Sequence, residues 1–66
     1  MTIYSAIKDI AKERSVSIYK IEKDLQLSHG LIFKWDKSNP SINNIQKVAN
    51  YLGVTTTYIL DKAKED

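Results

Sequence analysis

Apolar residues recur at three- and four-residue intervals from the start of the chain. Ile3, Ile7, Ile10 and Ala11 share one side of a helix, with Lys8, Asp9, Lys12 and Glu13 on the other. The spacing predicts a first helix from about residue 2 to residue 14. Ser15-Val16-Ser17 breaks the pattern, and Ser17 suits an N-cap because its hydroxyl oxygen can accept from the unpaired amides of the next turn. Ile18, Ile21 and Leu25 then form the inward face of a short second helix.

Leu25-Gln26-Leu27 is too short to join distant elements, and Ser28 follows as another N-cap, so the second and third helices are expected to meet at a sharp angle. Ile32 and Trp35 give the third helix its buried spacing over about ten residues, ending at Lys37. His29, Gly30, Leu31, Phe33 and Lys34 occupy its remaining faces. Ser38-Asn39-Pro40 is a turn, since proline disfavours helical geometry in the residue before it. Ser41 caps a fourth helix with the stripe Ile42, Ile45, Val48, Ala49 and Leu52, closed by a left-handed Gly53. Thr55 or Thr56 caps a fifth helix through Tyr58, Ile59 and Leu60, and Asp61 to Asp66 reads as a polar, fraying tail. The expected architecture is all-α: a compact bundle of five short helices in a single domain over residues 1–60, with residues 61–66 as the tail. An up-down four-helix bundle would need helices about twice as long.

Composition narrows the function classes. In 66 residues there is room for one domain, and the absence of cysteine removes disulfide staples and thiolate ligands. No run approaches the roughly 20 apolar residues of a membrane span, and the N-terminus lacks a signal-peptide pattern, so a cytoplasmic protein with no membrane partner is expected. The net charge of +2 lies entirely in the first half: residues 1–37 carry seven Lys/Arg against five Asp/Glu, residues 38–66 three against three. A phosphate-facing surface is therefore expected on the first three helices.

Residues 17–36, SIYKIEKDLQLSHGLIFKWD, with IQKVANYLGV at 45–54 and Tyr58-Ile59-Leu60, resemble the phage repressor/Cro (Xre-type) helix-turn-helix family over nearly the whole chain. The resemblance implies a lambda-repressor-like fold and sequence-specific binding to double-stranded operator DNA, usually as a homodimer. A transcriptional regulator is then expected, a phage or mobile-element repressor acting on a near-palindromic site. Both a short Cro-like protein and the N-terminal DNA-binding part of a longer repressor fit. Three places depart from the family pattern: Glu22, which must turn outward or find a partner, stands where alanine is usual, and Gln26 where glycine is frequent in the turn. Ala11 and Asp36 replace an arginine–glutamate pair, with Trp35 filling part of that space.

A helix of this width can enter a major groove of about 12 Å. His29, Gly30, Phe33 and Lys34 are then the base-reading candidates. Lys34 would donate to guanine, Phe33 and Leu31 would touch thymine methyls, and Gly30 would allow close approach to the duplex. Helix N-termini attract anions, which makes Ser17, Ile18 and Tyr19 phosphate candidates at the second helix, with Lys20 at its edge, and Asn43, Asn44 and Lys47 at the fourth. Lys37 and Asn39 join them at the edges, while Tyr58, Ile59 and Leu60 are the expected dimer contact.

Plainer readings stand beside these. Trp35 is read as core, Phe33 as either packed or DNA-facing, and Lys34 could be an ordinary solvated lysine. The carboxylates Asp9 with Glu13, and Glu22 with Asp24, read as solvated helix faces among lysines rather than as an acid/base pair. One histidine without cysteine or paired carboxylates does not make a metal site, and neither a cofactor, a small-molecule ligand nor an enzymatic constellation is expected. The rival class is a protein-interaction module on the same fold, antirepressor- or antitoxin-like, favoured by the apolar Leu31 and Phe33.

Overall fold

Five helices, and no strand, form among residues 1–65, which the computed structural model describes. They are α1 (Ile3–Glu13), α2 (Ile18–Asp24), α3 (Leu31–Lys34), α4 (Ile42–Leu52) and α5 (Thr56–Ala63). Four of them begin at a hydroxyl cap in extended geometry: Thr2, Ser17, Ser41 and Thr55 each accept from the amide three residues on. None of the described helices is long and apolar enough to cross a membrane.

Three helices close in the same way. The amides of Ser15 and Val16 return to the carbonyls of Lys12 and Ala11, those of Gln26 and Leu27 to Lys23 and Glu22, and those of Gly53 and Val54 to Asn50 and Ala49. In each pair the first residue is left-handed, with φ of 59° at Ser15, 59° at Gln26 and 75° at Gly53. Glycine adopts this conformation freely, whereas serine and glutamine do so under strain. The second residue, Val16, Leu27 or Val54, folds back against the core.

The core is built from Ala6, Ile7, Ile10 and Ala11 of α1, Ile21, Ile32, Trp35, the Ile45/Val48/Ala49/Leu52 stripe of α4, and Ile59 of α5. Helix α1 packs on α5 and α3, α5 on α4, and α2 on α3. The radius of gyration, 10.4 Å, is close to the roughly 11 Å of a fully packed chain of this length. Trp35 is buried in the core, as expected, and Asp36 accepts a 2.7 Å hydrogen bond from the Thr2 hydroxyl. That bond ties the end of the α3 region to the cap of α1.

Three expectations need correction here. Helix α3 spans four residues, not about ten, because Gly30 stands at φ 87° and cannot lie inside a right-handed helix. Past Lys34 the amides of Trp35, Asp36 and Lys37 bond three residues back, so the chain tightens into turns and leaves the helix. Ile42 is 84% exposed rather than part of the buried stripe. It is the first residue of α4, and a helical side chain leans toward the N-terminus, which here carries it beyond the neighbouring helices. The expected tail begins within α5: Asp61, Lys62 and Ala63 are helical, Ala63 packs on the core, and the N-terminal ammonium donates to the Glu65 carbonyl at 2.8 Å. Asp66, the last residue of that expected tail, lies outside the described residues.

Candidate functional site

The connection between α2 and α3 decides how α3 is presented. After the left-handed Gln26 the chain runs through Leu27 and Ser28 to a second left-handed residue, Gly30. A Cβ at Gly30 would meet nothing within 4 Å, so its backbone angle, not crowding, calls for glycine. Ser28 does not cap α3 with its side chain; its carbonyl instead accepts from the Leu31 amide at 3.1 Å. Glu22 supplies the missing acceptor. Its Oε1 takes the Gly30 amide at 3.1 Å and its Oε2 the Ile32 amide at 3.0 Å. Expected as part of a solvated face, Glu22 is 3% exposed, and this expectation is overturned. The signal was in its position: residues 18, 21, 22 and 25 share one helical face, and the other three are Ile, Ile and Leu.

Ile32 and Trp35 anchor this segment from behind while His29, Phe33 and Lys34 project outward. The His29 side chain is 83% exposed and Phe33 is 61% exposed. Each lies edge-on to a tyrosine of another helix: His29 to Tyr19 of α2, with ring centres 5.7 Å apart, and Phe33 to Tyr4 of α1 at 5.2 Å. The Lys8 ammonium sits 5.9 Å from the centre of the Tyr4 ring. Phe33, Lys34, Asp36, Lys37 and Ser38 surround an open apolar depression of about 360 Å³. Leu31, a candidate thymine contact, is half-buried and packs on the core instead. Gly30 sits in the turn before α3 rather than on the helix.

The phosphate candidates fall into separate groups. Ser17 holds the Lys20 amide with its hydroxyl oxygen, leaving its own proton free to donate, and the first-turn amides of Ile18 and Tyr19 have no acceptor among the described residues. Tyr19 is exposed. Lys20 is exposed but committed: its ammonium lies 3.0 Å from Asp24 Oδ2. Asp24 also accepts from the Tyr51 hydroxyl of α4 at 2.6 Å, a bond between helices to which no local sequence pattern points. The Tyr51 hydrogen bond first, then that of Lys20, holds the Asp24 carboxyl below the usual carboxylate range. Asp24 in turn raises both the Tyr51 phenol and the Lys20 ammonium above their ordinary values, chiefly through the same hydrogen bonds.

At α4, Asn43 and Lys47 are exposed, and Asn44 is half-buried with its amide held by Ser41. Lys37 is exposed beside Phe33 and Lys34, whereas Asn39 lines a groove with Ile3, Pro40, Ile42, Ile45 and Leu60. The expected dimer contact is corrected at one residue. Ile59 is fully buried, while Tyr58 and Leu60 are exposed. Consecutive helical residues point about 100° apart, so three in a row cannot face one partner. Among the described residues, no group of His, Asp and Glu is placed to hold a metal ion. Compared with protein-family models, with curated proteins and with solved structures, the chain finds no match.

Proposed function

We propose that this chain is a sequence-specific double-stranded DNA-binding domain that acts as a transcriptional regulator and has no enzymatic activity. In this reading α2 and α3 are the two helices of an Xre-type helix-turn-helix. The observation that carries it is the two-sided character of the α3 segment, with Ile32 and Trp35 buried while His29, Phe33 and Lys34 stand in solvent. One helical turn followed by tighter turns to Lys37 makes a narrow projection, suited to a major groove of about 12 Å. Lys34 donates to guanine O6 or N7, His29 meets a base edge, and Phe33 meets a thymine methyl.

Phosphates are met on one flank by the Ser17 hydroxyl, Ile18 and Tyr19, and on the other by Asn43, Asn44 and Lys47. Lys20 contributes less than Lys47 because Asp24 already balances its charge. Two copies would place their projections about 34 Å apart on a near-palindromic operator, with Tyr58 and Leu60 as the outward residues of α5. A phage or mobile-element repressor is the role that fits.

Selection of bound duplexes from a random pool tests this reading. It should return a near-palindrome with a fixed half-site spacing. Lys34→Ala should then cost about 1–3 kcal/mol on that site and relax one base preference. Lys47→Ala should weaken all duplexes alike. Folded protein that enriches no sequence at low ionic strength would refute the reading. The exposed Phe33 beside its apolar depression favours one alternative, a protein-interaction module of antirepressor or antitoxin type. Added salt separates the two, since DNA binding weakens steeply and an apolar contact hardly changes.

A further inference from the structure

We propose that Glu22 is a positioning residue for the DNA-facing turn, a buried carboxylate that sets the pose of α3 and of His29. The proposal rests on the DNA-binding reading above.

A four-residue helix has little means of holding itself, because its first turn fixes several backbone angles for a single hydrogen bond. Its leading amides have no acceptor inside the helix. In this chain both oxygens of one carboxylate take two of the amides at this end, those of Gly30 and Ile32, from a helix eight to ten residues earlier. A two-point grip of this kind fixes direction as well as distance. The same Oε1 lies 3.7 Å from His29 Nδ1, and the edge of the Tyr19 ring meets the imidazole from α2. Glu22 and Tyr19 thus face His29 from α2, and the Gly30 turn fixes its backbone.

Two consequences follow for recognition. The amide end of α3 is already occupied by a negative group, so it does not receive a phosphate, and the turn is left to meet base edges. The outward groups also inherit their position from a residue that never touches DNA. Glutamine is nearly the same size as glutamate but has one acceptor oxygen, and its amide group would set a donor against a donor. Glu22→Gln therefore tests the grip with minimal change in packing.

The experiment measures native-state amide exchange and duplex affinity for the whole chain, wild type and Glu22→Gln. The temperature is one at which circular dichroism finds both fully folded, and the duplexes are the selected sequence and a scrambled one. In the wild type the Ile32 amide should be protected although no helical carbonyl can take it. In Glu22→Gln its exchange should rise roughly ten- to hundredfold while the Val48 amide is unchanged, and affinity for the selected duplex should fall by a similar factor, more than for the scrambled one.

Exchange that rises equally at Ile32 and Val48, with affinity intact, would overturn the proposal by making Glu22 a contributor to global stability alone. A wild type that captures no duplex would refute the DNA reading, and the exchange pattern would still judge the grip. If Glu22→Gln does not fold, the wild-type Ile32 amide decides: exchange at the free-chain rate overturns the proposal and protection supports it.

Discussion

Helix α4 carries its own start and stop signals, whereas α3 borrows its start from another helix. Ser41 caps α4 from the residue immediately before it, and Gly53 ends it. The start of α3 lies in a carboxylate on α2, and its stop is a run of tight turns. A helix closed by its neighbours in sequence can form wherever the core accepts its stripe. One closed by a distant side chain exists only when the two helices have already met. The segment proposed to touch DNA is of the second kind, which makes its geometry a tertiary property.

The sharpest way to break this comparison is to truncate one isoleucine in each region. Ile32 is the fully buried residue of α3, with Leu31 beside it only half-buried. Ile32→Ala should destabilise the fold by about 2–5 kcal/mol. Ile42, exposed at the start of α4, should tolerate Ile42→Ala within about 0.5 kcal/mol. Denaturant titration of both variants measures the contrast. Similar losses would mean that the first turn of α4 is covered in solution and that the two helix starts are not as different as described.

Serines offer the next contrast. Ser41→Ala removes the hydroxyl that holds the Asn44 amide and should cost about 1 kcal/mol. Ser28 stands near the start of α3 with an exposed side chain, and only its backbone carbonyl is engaged. Ser28→Ala should therefore change stability by less than about 0.5 kcal/mol. Chemical denaturation resolves the difference, and a loss at Ser28 as large as that at Ser41 would contradict the assignment of Glu22 as the acceptor at this end.

The same contrast explains what could be read in advance. The caps Ser17, Ser41 and Thr55, the closing Gly53 and the stripes of α1 and α4 depend on residues within a turn of one another, so spacing reveals them. Exposure of Lys34 also follows from spacing, because Ile32 and Trp35 take the inward side; for Phe33 spacing leaves both a packed and an outward position open, and His29 stands before the helix that carries the spacing. Charge alone sends Glu22 to a solvated face, whereas its place on the face shared with Ile18, Ile21 and Leu25 turns it inward. Local spacing points to Ser28 as the cap only because it is the nearest hydroxyl. The bond from Tyr51 to Asp24 joins residues 27 apart, and no local pattern points to it. Adjacency in sequence groups Ile59 with Tyr58 and Leu60, but in a helix adjacency separates side chains rather than uniting them.

The ends of α2 and α4 permit a smaller test. Both close on a left-handed residue, but α4 uses Gly53 and α2 uses Gln26. A side chain in this conformation is penalised by about 1–2 kcal/mol, and glycine returns part of the gain through the greater freedom of its unfolded chain. Gln26→Gly should stabilise the protein by about 0.5–1 kcal/mol, read as a higher denaturation midpoint. A loss would mean that the Gln26 side chain makes a contact in solution that outweighs its backbone strain.

The smallest expected effect concerns the bond that joins α2 to α4, from the Tyr51 hydroxyl to Asp24. Asp24 lies near the surface, where solvent screens its partners, so its contribution should fall below that of the Ser41 cap. Its sign is nevertheless definite. The folded state holds Asp24 below its unfolded value, with Tyr51 the largest cause, followed by Lys20, and Lys23 adding a weaker attraction. This stabilisation is therefore full above the unfolded carboxylate range and fades as pH falls through the folded value. Tyr51 and Lys20 are shifted upward, so their share is full below their unfolded values and fades as pH rises through the folded ones. Tyr51→Phe removes the hydroxyl and leaves the Lys20 contact. Its melting temperature should lie below the wild type's at neutral pH, and the gap should close in acid once Asp24 is protonated. At high pH the gap should close again, because the wild type would then place a phenolate beside a carboxylate. A gap independent of pH would assign the loss to packing or solvation of the hydroxyl itself and remove the hydrogen bond to the Asp24 carboxylate as the link between α2 and α4.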